Sequence, residues 1–140
     1  AVGPLDAPVA YLVDTPGYGY AAAPQALKRQ WDALAGRYLQ RRAELIGVVL
    51  IVDVRREITP LDAVLLDWAP ASAKLLVIAT KCDKLNRSQQ AAARRAITKS
   101  VAEHRPAGDF QVLAFSSSTS IGVEEGRIIL EQWLAEAGAP

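Results

Sequence analysis

The run Val48-Val-Leu-Ile-Val52 is apolar at every position and mostly β-branched, and an acid, Asp53, ends it. Three other runs have the same form. Val9-Ala-Tyr-Leu-Val13 ends at Asp14, Leu75-Leu-Val-Ile-Ala79 ends at Thr80, and Val112-Leu-Ala-Phe115 ends at Ser116. A strand with one wet face alternates apolar and polar residues, whereas a strand covered on both faces is apolar throughout, as in a parallel sheet. A lone run of this length also fits a buried helix. Four of them, separated by helical segments, predict an α/β fold.

The intervening segments have readable faces. Leu27, Trp31, Leu34 and Tyr38 recur at i, i+4, i+7 and i+11, an amphipathic stripe. Thr59-Pro60-Leu61-Asp62 supplies a capping hydroxyl, a proline at the first helical position and an acid in the first turn. Leu61, Leu65 and Trp68 line one face of that helix, and Pro70 stops it. Ser88 is expected to cap a helix running through Glu103, with Ala93, Ile97 and Val101 inward. A last helix is expected from about Val123 to Ala137, pairing Ile129 with Trp133 and Leu130 with Leu134.

Bulk properties narrow the class. The 140 residues suffice for one domain with a sizeable core. The net charge of +1 excludes a polycation seeking nucleic acid along its whole length. Charge is uneven, however: Lys28, Arg29, Arg37, Arg41 and Arg42 oppose Asp32 alone, while residues 121–140 are acidic. The basic face reads either as a solvated helix surface or as a contact to RNA phosphates. One cysteine permits no internal disulfide, which suits a reducing, cytoplasmic setting. No apolar run approaches the length of a membrane span, and no secretory signal is expected at the N-terminus. His104, near a helix C-terminus, is expected to be structural.

Three motifs follow three of the runs. In Thr80-Lys81-Cys82-Asp83, a carboxylate can accept parallel hydrogen bonds from guanine N1–H and its exocyclic amine. Adenine lacks that amine and presents a lone pair at N1. Lys81 can lay its stem along a purine face. Taken alone, the tetrapeptide also reads as a loop with solvated charges. In Asp14-Thr15-Pro16-Gly17, an acid at a strand's carboxyl end can hold Mg²⁺ through a water, and Gly17 can bring its N–H close to a phosphate. A strand-ending turn explains the same four residues. Phe115-Ser116-Ser117 places small residues where a backbone N–H can reach guanine O6, though serine clusters commonly mark loops. The order and spacing carry more weight than any one motif: 69 residues separate Asp14 from Asp83, and 34 separate Asp83 from Ser117. No G-x-G-x-x-G occurs, which disfavours a dinucleotide enzyme.

With Asp14-Thr-Pro-Gly-Tyr-Gly-Tyr-Ala21, Lys28, Trp31, Tyr38 and Leu39, Val48–Val54 with Arg55, Thr80–Leu85, Phe115–Ser117 and Gly122, the chain resembles the EngB (YihA) family of bacterial GTPases. The similarity runs along essentially the whole chain. The resemblance implies a three-layer P-loop GTPase-like sheet flanked by helices, and a single monomeric GTPase-like domain over residues 1–140. It implies GTP or GDP with Mg²⁺ as ligands, a switch role in large ribosomal subunit assembly, an association with cell division and septation, and a cytoplasmic location without membrane contact. Asp14, Thr15, Pro16 and Gly17 would then address the phosphates and, through water, Mg²⁺. Thr80, Lys81, Cys82 and Asp83, with Phe115, Ser116 and Ser117, would form the base pocket, and Lys28, Arg29, Arg37, Arg41 and Arg42 a contact to the ribosomal subunit or its RNA. No catalytic residue is assigned, because Tyr18 stands where Ras-like proteins carry a water-orienting glutamine.

The chain departs from the pattern in one large respect. The P-loop G-x-x-x-x-G-K-[ST] is absent, as are its strand and the first switch threonine, so the domain is expected to be N-terminally incomplete. The missing strand would lie between Val9–Val13 and Val48–Asp53, leaving a slot about 10 Å wide. Losing three charge-assisted phosphate contacts, at about 1.5–3 kcal/mol each, predicts binding weakened by about 10³–10⁶. These 140 residues alone are therefore expected neither to bind GTP tightly nor to hydrolyse it. The alternative is a nucleotide-free RNA- or protein-binding module that keeps the fold.

Overall fold

The structure is a computed structural model and describes residues 2, 6, 8–15, 36–39, 41–106 and 109–138. Three of the apolar runs form the sheet. β1 (Gly47–Asp53), β2 (Lys74–Thr80) and β3 (Phe110–Ala114) lie side by side in that order, all parallel. Gly47 pairs with Lys74 and Asp53 with Thr80, so β1 and β2 end level with one another. Leu75 pairs with Phe110 and Ala79 with Ala114.

Helices separate the strands as the patterning predicts. α1 (Pro60–Trp68) joins β1 to β2, and α2 (Arg87–His104) joins β2 to β3. α3 (Val123–Glu136) follows β3. Thr59 and Asp62 cap α1 reciprocally: the Asp62 N–H donates to Thr59 Oγ1, and the Thr59 N–H donates to Asp62 Oδ2.

The start of α2 differs from expectation. Asn86, not Ser88, is the cap. Its side chain accepts from the Gln89 N–H at 2.9 Å, and Gln89 Oε1 accepts from the Asn86 N–H at 2.9 Å. Asn86 therefore makes two reciprocal bonds, while three residues beyond Ser88 stands Ala91, which has no side-chain acceptor to return one.

The sheet is covered unequally. On one face, Val48, Leu50, Val52, Leu75, Val77 and Val112 pack with Leu65 of α1 and Ile97 and Val101 of α2 in one buried cluster. On the other, Leu76 and Leu113 pack with Ile129 and Trp133 of α3. This is the helix–sheet–helix layering expected of a doubly covered parallel sheet. Ile51 shares the α3 face yet is 64% exposed. The α3 packing thus covers β2 and β3 but not this end of β1.

The fourth run does not join the sheet. Residues 11–15 are exposed and lack regular structure, and Tyr11 and Leu12 are more than 70% exposed. The nearest thing to pairing is an antiparallel bridge between Val2 and Ala10. A groove of about 380 Å³, lined by Val9–Val13 on one side and Gly47, Val48 and Val49 on the other, separates this segment from β1. A strand needs a partner about 4.8 Å away, and residues across an open groove supply none. The amphipathic stripe at Leu27, Trp31 and Leu34 lies outside the described residues; residues 36–39, which include Tyr38, are helical.

Candidate nucleotide-binding site

The carboxyl ends of β1, β2 and β3 converge on one edge of the sheet, the edge at which open α/β sheets bind ligands. Each strand delivers a polar residue there. Asp53 ends β1, Thr80 ends β2 and leads into the Cys82–Lys84 turn, and Ser116 lies two residues beyond Ala114, which ends β3.

Backbone hydrogen bonds lock the loops together. The Phe115 N–H donates to Ala79 O at 2.9 Å, and the Cys82 N–H donates to Phe115 O at 3.1 Å. The ladder between β2 and β3 thereby continues into the two loops. The Ser116 N–H donates to Ile121 O, closing the loop after β3. Gly122 follows at φ +78°, and a Cβ there would stand 2.3 Å from Ala114 O, so only glycine lets the chain pass this close. Gln90 of α2 donates from Nε2 to Cys82 O at 2.8 Å and to Leu85 O at 2.9 Å, tying the turn to the helix.

Asp83 is held by two side chains. The Ser116 hydroxyl, 1% exposed, donates to Asp83 Oδ1 at 2.6 Å. Lys84 Nζ stands 3.0 Å from Oδ2. These two partners hold the Asp83 carboxyl below the usual carboxylate range, the Ser116 bond most of all. A carboxylate has about four acceptor positions, so two remain for a ligand's donors. Ser118 Oγ lies 3.0 Å from Ser116 Oγ, and the Thr119 N–H also donates to that oxygen.

The other expected residues fall into place unevenly. Thr80 turns its hydroxyl to Val52 O at 2.9 Å, stitching β2 to β1. Lys81 adopts a left-handed backbone, φ +62°, and its half-exposed side chain reaches Asp53 Oδ2 at 3.0 Å. Cys82 is fully buried, and burial pushes its thiol pKa up. Phe115 is half-buried and Ser117 exposed. Asp14 and Thr15 are exposed at the end of the unpaired segment, and Pro16 and Gly17 lie outside the described residues, as does Tyr18. Lys28 and Arg29 are likewise outside them, while Arg37, Arg41 and Arg42 are exposed, the last with its guanidinium 4.6 Å from the Tyr38 ring centre. His104 Nδ1 meets Asp67 at 2.8 Å, joining α2 to α1 well away from the site.

The sequence assigns no site role to Asp53, Arg55 or Gln90. Asp53 had a visible signal, since it ends an apolar run just as Asp14 does. Gln90 had none, because its reach depends on how α2 leaves the turn. Among the described residues, no three His, Cys, Asp or Glu side chains gather to hold a metal.

A parallel sheet between helices, with a lysine–acid turn after one strand and a clamping serine after the next, defines an α/β protein of the P-loop GTPase type. No family model matches the chain. It is 43% identical over 138 residues to the probable GTP-binding protein EngB of Paraburkholderia phytofirmans, covering 96% of this chain and 64% of that protein. The namesakes in Paraburkholderia phymatum and Burkholderia thailandensis are each 42% identical, with 66% and 65% of their lengths covered. The chain is therefore similar to EngB proteins, at 42–43% identity along nearly its whole length. It spans just under two thirds of the length of these relatives.

Proposed function

We propose that this chain carries the base-reading half of a guanine-nucleotide site in a GTP-binding switch protein. The observation that carries this reading is the Ser116–Asp83 bond. It fixes a carboxylate, still with two open acceptor positions, at the ligand-binding edge of a parallel sheet. Guanine N1–H and the exocyclic amine supply a matching pair of donors. Adenine supplies neither in that arrangement, so the same carboxylate would find no matching pair of donors. The names of the relatives, probable GTP-binding proteins, agree with this ligand.

The phosphates require further groups. In this proposal Asp14 holds Mg²⁺ through water, and Gly17 offers its N–H to the terminal phosphate. The groove beside β1 is the seat of a further strand of the same sheet, carrying the phosphate-gripping loop in a longer form of the domain. Its volume, the exposure of Ile51 and the greater length of the relatives support that placement. GTP hydrolysis belongs to the longer form. A role in large ribosomal subunit assembly, with its link to cell division and septation, completes the proposal for a monomeric, cytoplasmic protein. The exposed Arg37, Arg41 and Arg42 favour contact with ribosomal RNA, in which the module would act even without nucleotide.

The test is a fluorescence titration of labelled GDP and ADP against the protein made from its complete reading frame. Preference for GDP by about a hundredfold or more supports the reading. Equal binding of the two, or of neither, refutes it.

A further inference from the structure

Asp53 stands outside the base-reading motifs, yet one of their side chains ends on it. Arg55 donates to Asp53 Oδ1 from its backbone N–H at 3.0 Å and from Nε at 2.9 Å, and to Oδ2 from Nη2 at 2.7 Å. Lys81 Nζ donates to the same Oδ2 at 3.0 Å. The register explains the meeting. Asp53 pairs with Thr80, so Lys81 is the first residue beyond the level end of the two strands.

Most exposed ion pairs contribute little, because both side chains move. This one differs on the acid's side. The Asp53 side chain is 14% exposed, and Arg55 grips it bidentately. Arg55, foremost by its side-chain hydrogen bonds, holds the Asp53 carboxyl far below the usual carboxylate range, so it is anionic at any working pH. The lysine's side is loose by nature: four methylenes ending in a compact charge, 54% exposed. A fixed acid therefore restrains a flexible lysine, and ordering that lysine before a ligand arrives removes part of the cost of binding.

We propose that Asp53, clamped by Arg55, is a positioning residue of the base pocket that holds the Lys81 stem beside the turn bearing Asp83. The proposal rests on the guanine-site reading above and adds a residue to it. Arg55, Asp53 and Lys81 thus form one alternating array along the strand ends. Asp53 touches no nucleotide in this scheme and acts only through Lys81.

The test is a double-mutant cycle in the full-length protein, read by the affinity for fluorescent GDP, with a melting curve for every variant. Asp53→Asn is expected to weaken GDP binding about five- to thirty-fold, and less than about twofold when Lys81 is already alanine. Asp53→Glu, which keeps the charge, is expected to recover affinity to within about threefold of the parent. If Asp53→Asn melts below the assay temperature, Arg55→Ala takes its place. It frees the carboxylate to turn away and is expected to cost about two- to five-fold, again only while Lys81 is present. Unchanged affinity, tighter binding, or an equal loss with and without Lys81 overturns the proposal, the last because it marks a merely structural role. If the parent protein binds no guanine nucleotide, the guanine-site reading falls and takes this proposal with it. If the parent binds and the cycle is flat, only this proposal falls.

Discussion

Ser116 and Asp83 lie 33 residues apart in sequence, on loops that leave different strands, and are joined by a 2.6 Å hydrogen bond from the buried hydroxyl to the carboxylate. The bond exists because β2 and β3 run parallel and side by side, with the Cys82 N–H to Phe115 O bond extending their ladder past both strand ends. Ser116→Ala removes the donor and leaves Lys84, on a mobile stem, as the remaining partner of Asp83. Guanine affinity in the full-length protein is expected to fall about tenfold, as for loss of a charge-assisted hydrogen bond. Preference over adenine should fall with it. Parallel GDP and ADP titrations of parent and variant check both.

Acid sensitivity should carry the signature of Asp53. Its folded-state pKa is depressed, principally by the Arg55 side-chain bonds. A depressed carboxylate contributes stability that is fully present above its unfolded pKa and is lost as pH falls toward the folded one. The contribution is therefore intact at neutral pH and drains away below about pH 4. Asp53→Asn has no such group to protonate. Its unfolding free energy should thus fall less steeply than the parent's between about pH 4 and 2, with the two curves converging at the acid end. Denaturant melts across that range measure the slopes, and parallel slopes would remove Asp53 as the source. Asp83, depressed by Ser116 and Lys84, titrates in the same direction and remains in both proteins.

Which parts of this molecule were legible beforehand follows from how local each cause is. β1, β2 and β3 could be read because their residues are apolar on both faces, a property each run carries by itself. Val9–Val13 carries the same property and is not a strand, because pairing requires a neighbour at ladder distance and the groove intervenes. The Asp83–Ser116 meeting was visible as an order of motifs, since each motif stands where its own strand ends. The Asp53–Lys81 pair was not, because it depends on the register that sets Asp53 beside Thr80. The cap of α2 falls on Asn86 rather than Ser88 because Asn86 and Gln89 satisfy one another reciprocally, which no single side chain announces.

Gly47 and Trp133 give a packing test on the α3 face. A Cβ at Gly47 would stand 2.3 Å from Cζ3 of the Trp133 ring, which cannot retreat as a flexible chain end would. Gly47→Ala is expected to destabilise the protein by about 1–3 kcal/mol, the usual cost of overpacking a core. The sign is informative, because alanine at an unhindered strand position would be neutral or stabilising. Trp133→Leu makes room for the new methyl, so the double variant should lose less than the sum of the single losses. Thermal melts of the four proteins decide the matter, and strict additivity would mean that the ring and the methyl do not meet.

Arg105 makes the strongest prediction for the opposite end of the sheet. It is 5% exposed, and its guanidinium donates to three backbone carbonyls: Ala69 O at 3.0 Å, Pro70 O at 2.9 Å and Ala73 O at 2.6 Å. These carbonyls belong to the link from α1 to β2, while Arg105 caps α2 through its N–H to Val101 O. One side chain therefore fixes where β2 begins. Arg105→Met keeps the apolar stem and strands the acceptors, an expected loss of about 2–4 kcal/mol. Arg105→Lys should recover only part of it, since an ammonium is compact and lacks the planar fork that spans three oxygens. The site at Asp83 lies beyond the far end of β2, about 20 Å of strand away. Denaturant melts should thus separate the three proteins while GDP affinity, measured where all remain folded, stays the same. An affinity change that tracks the stability loss would show instead that the start of β2 governs the loops at its end.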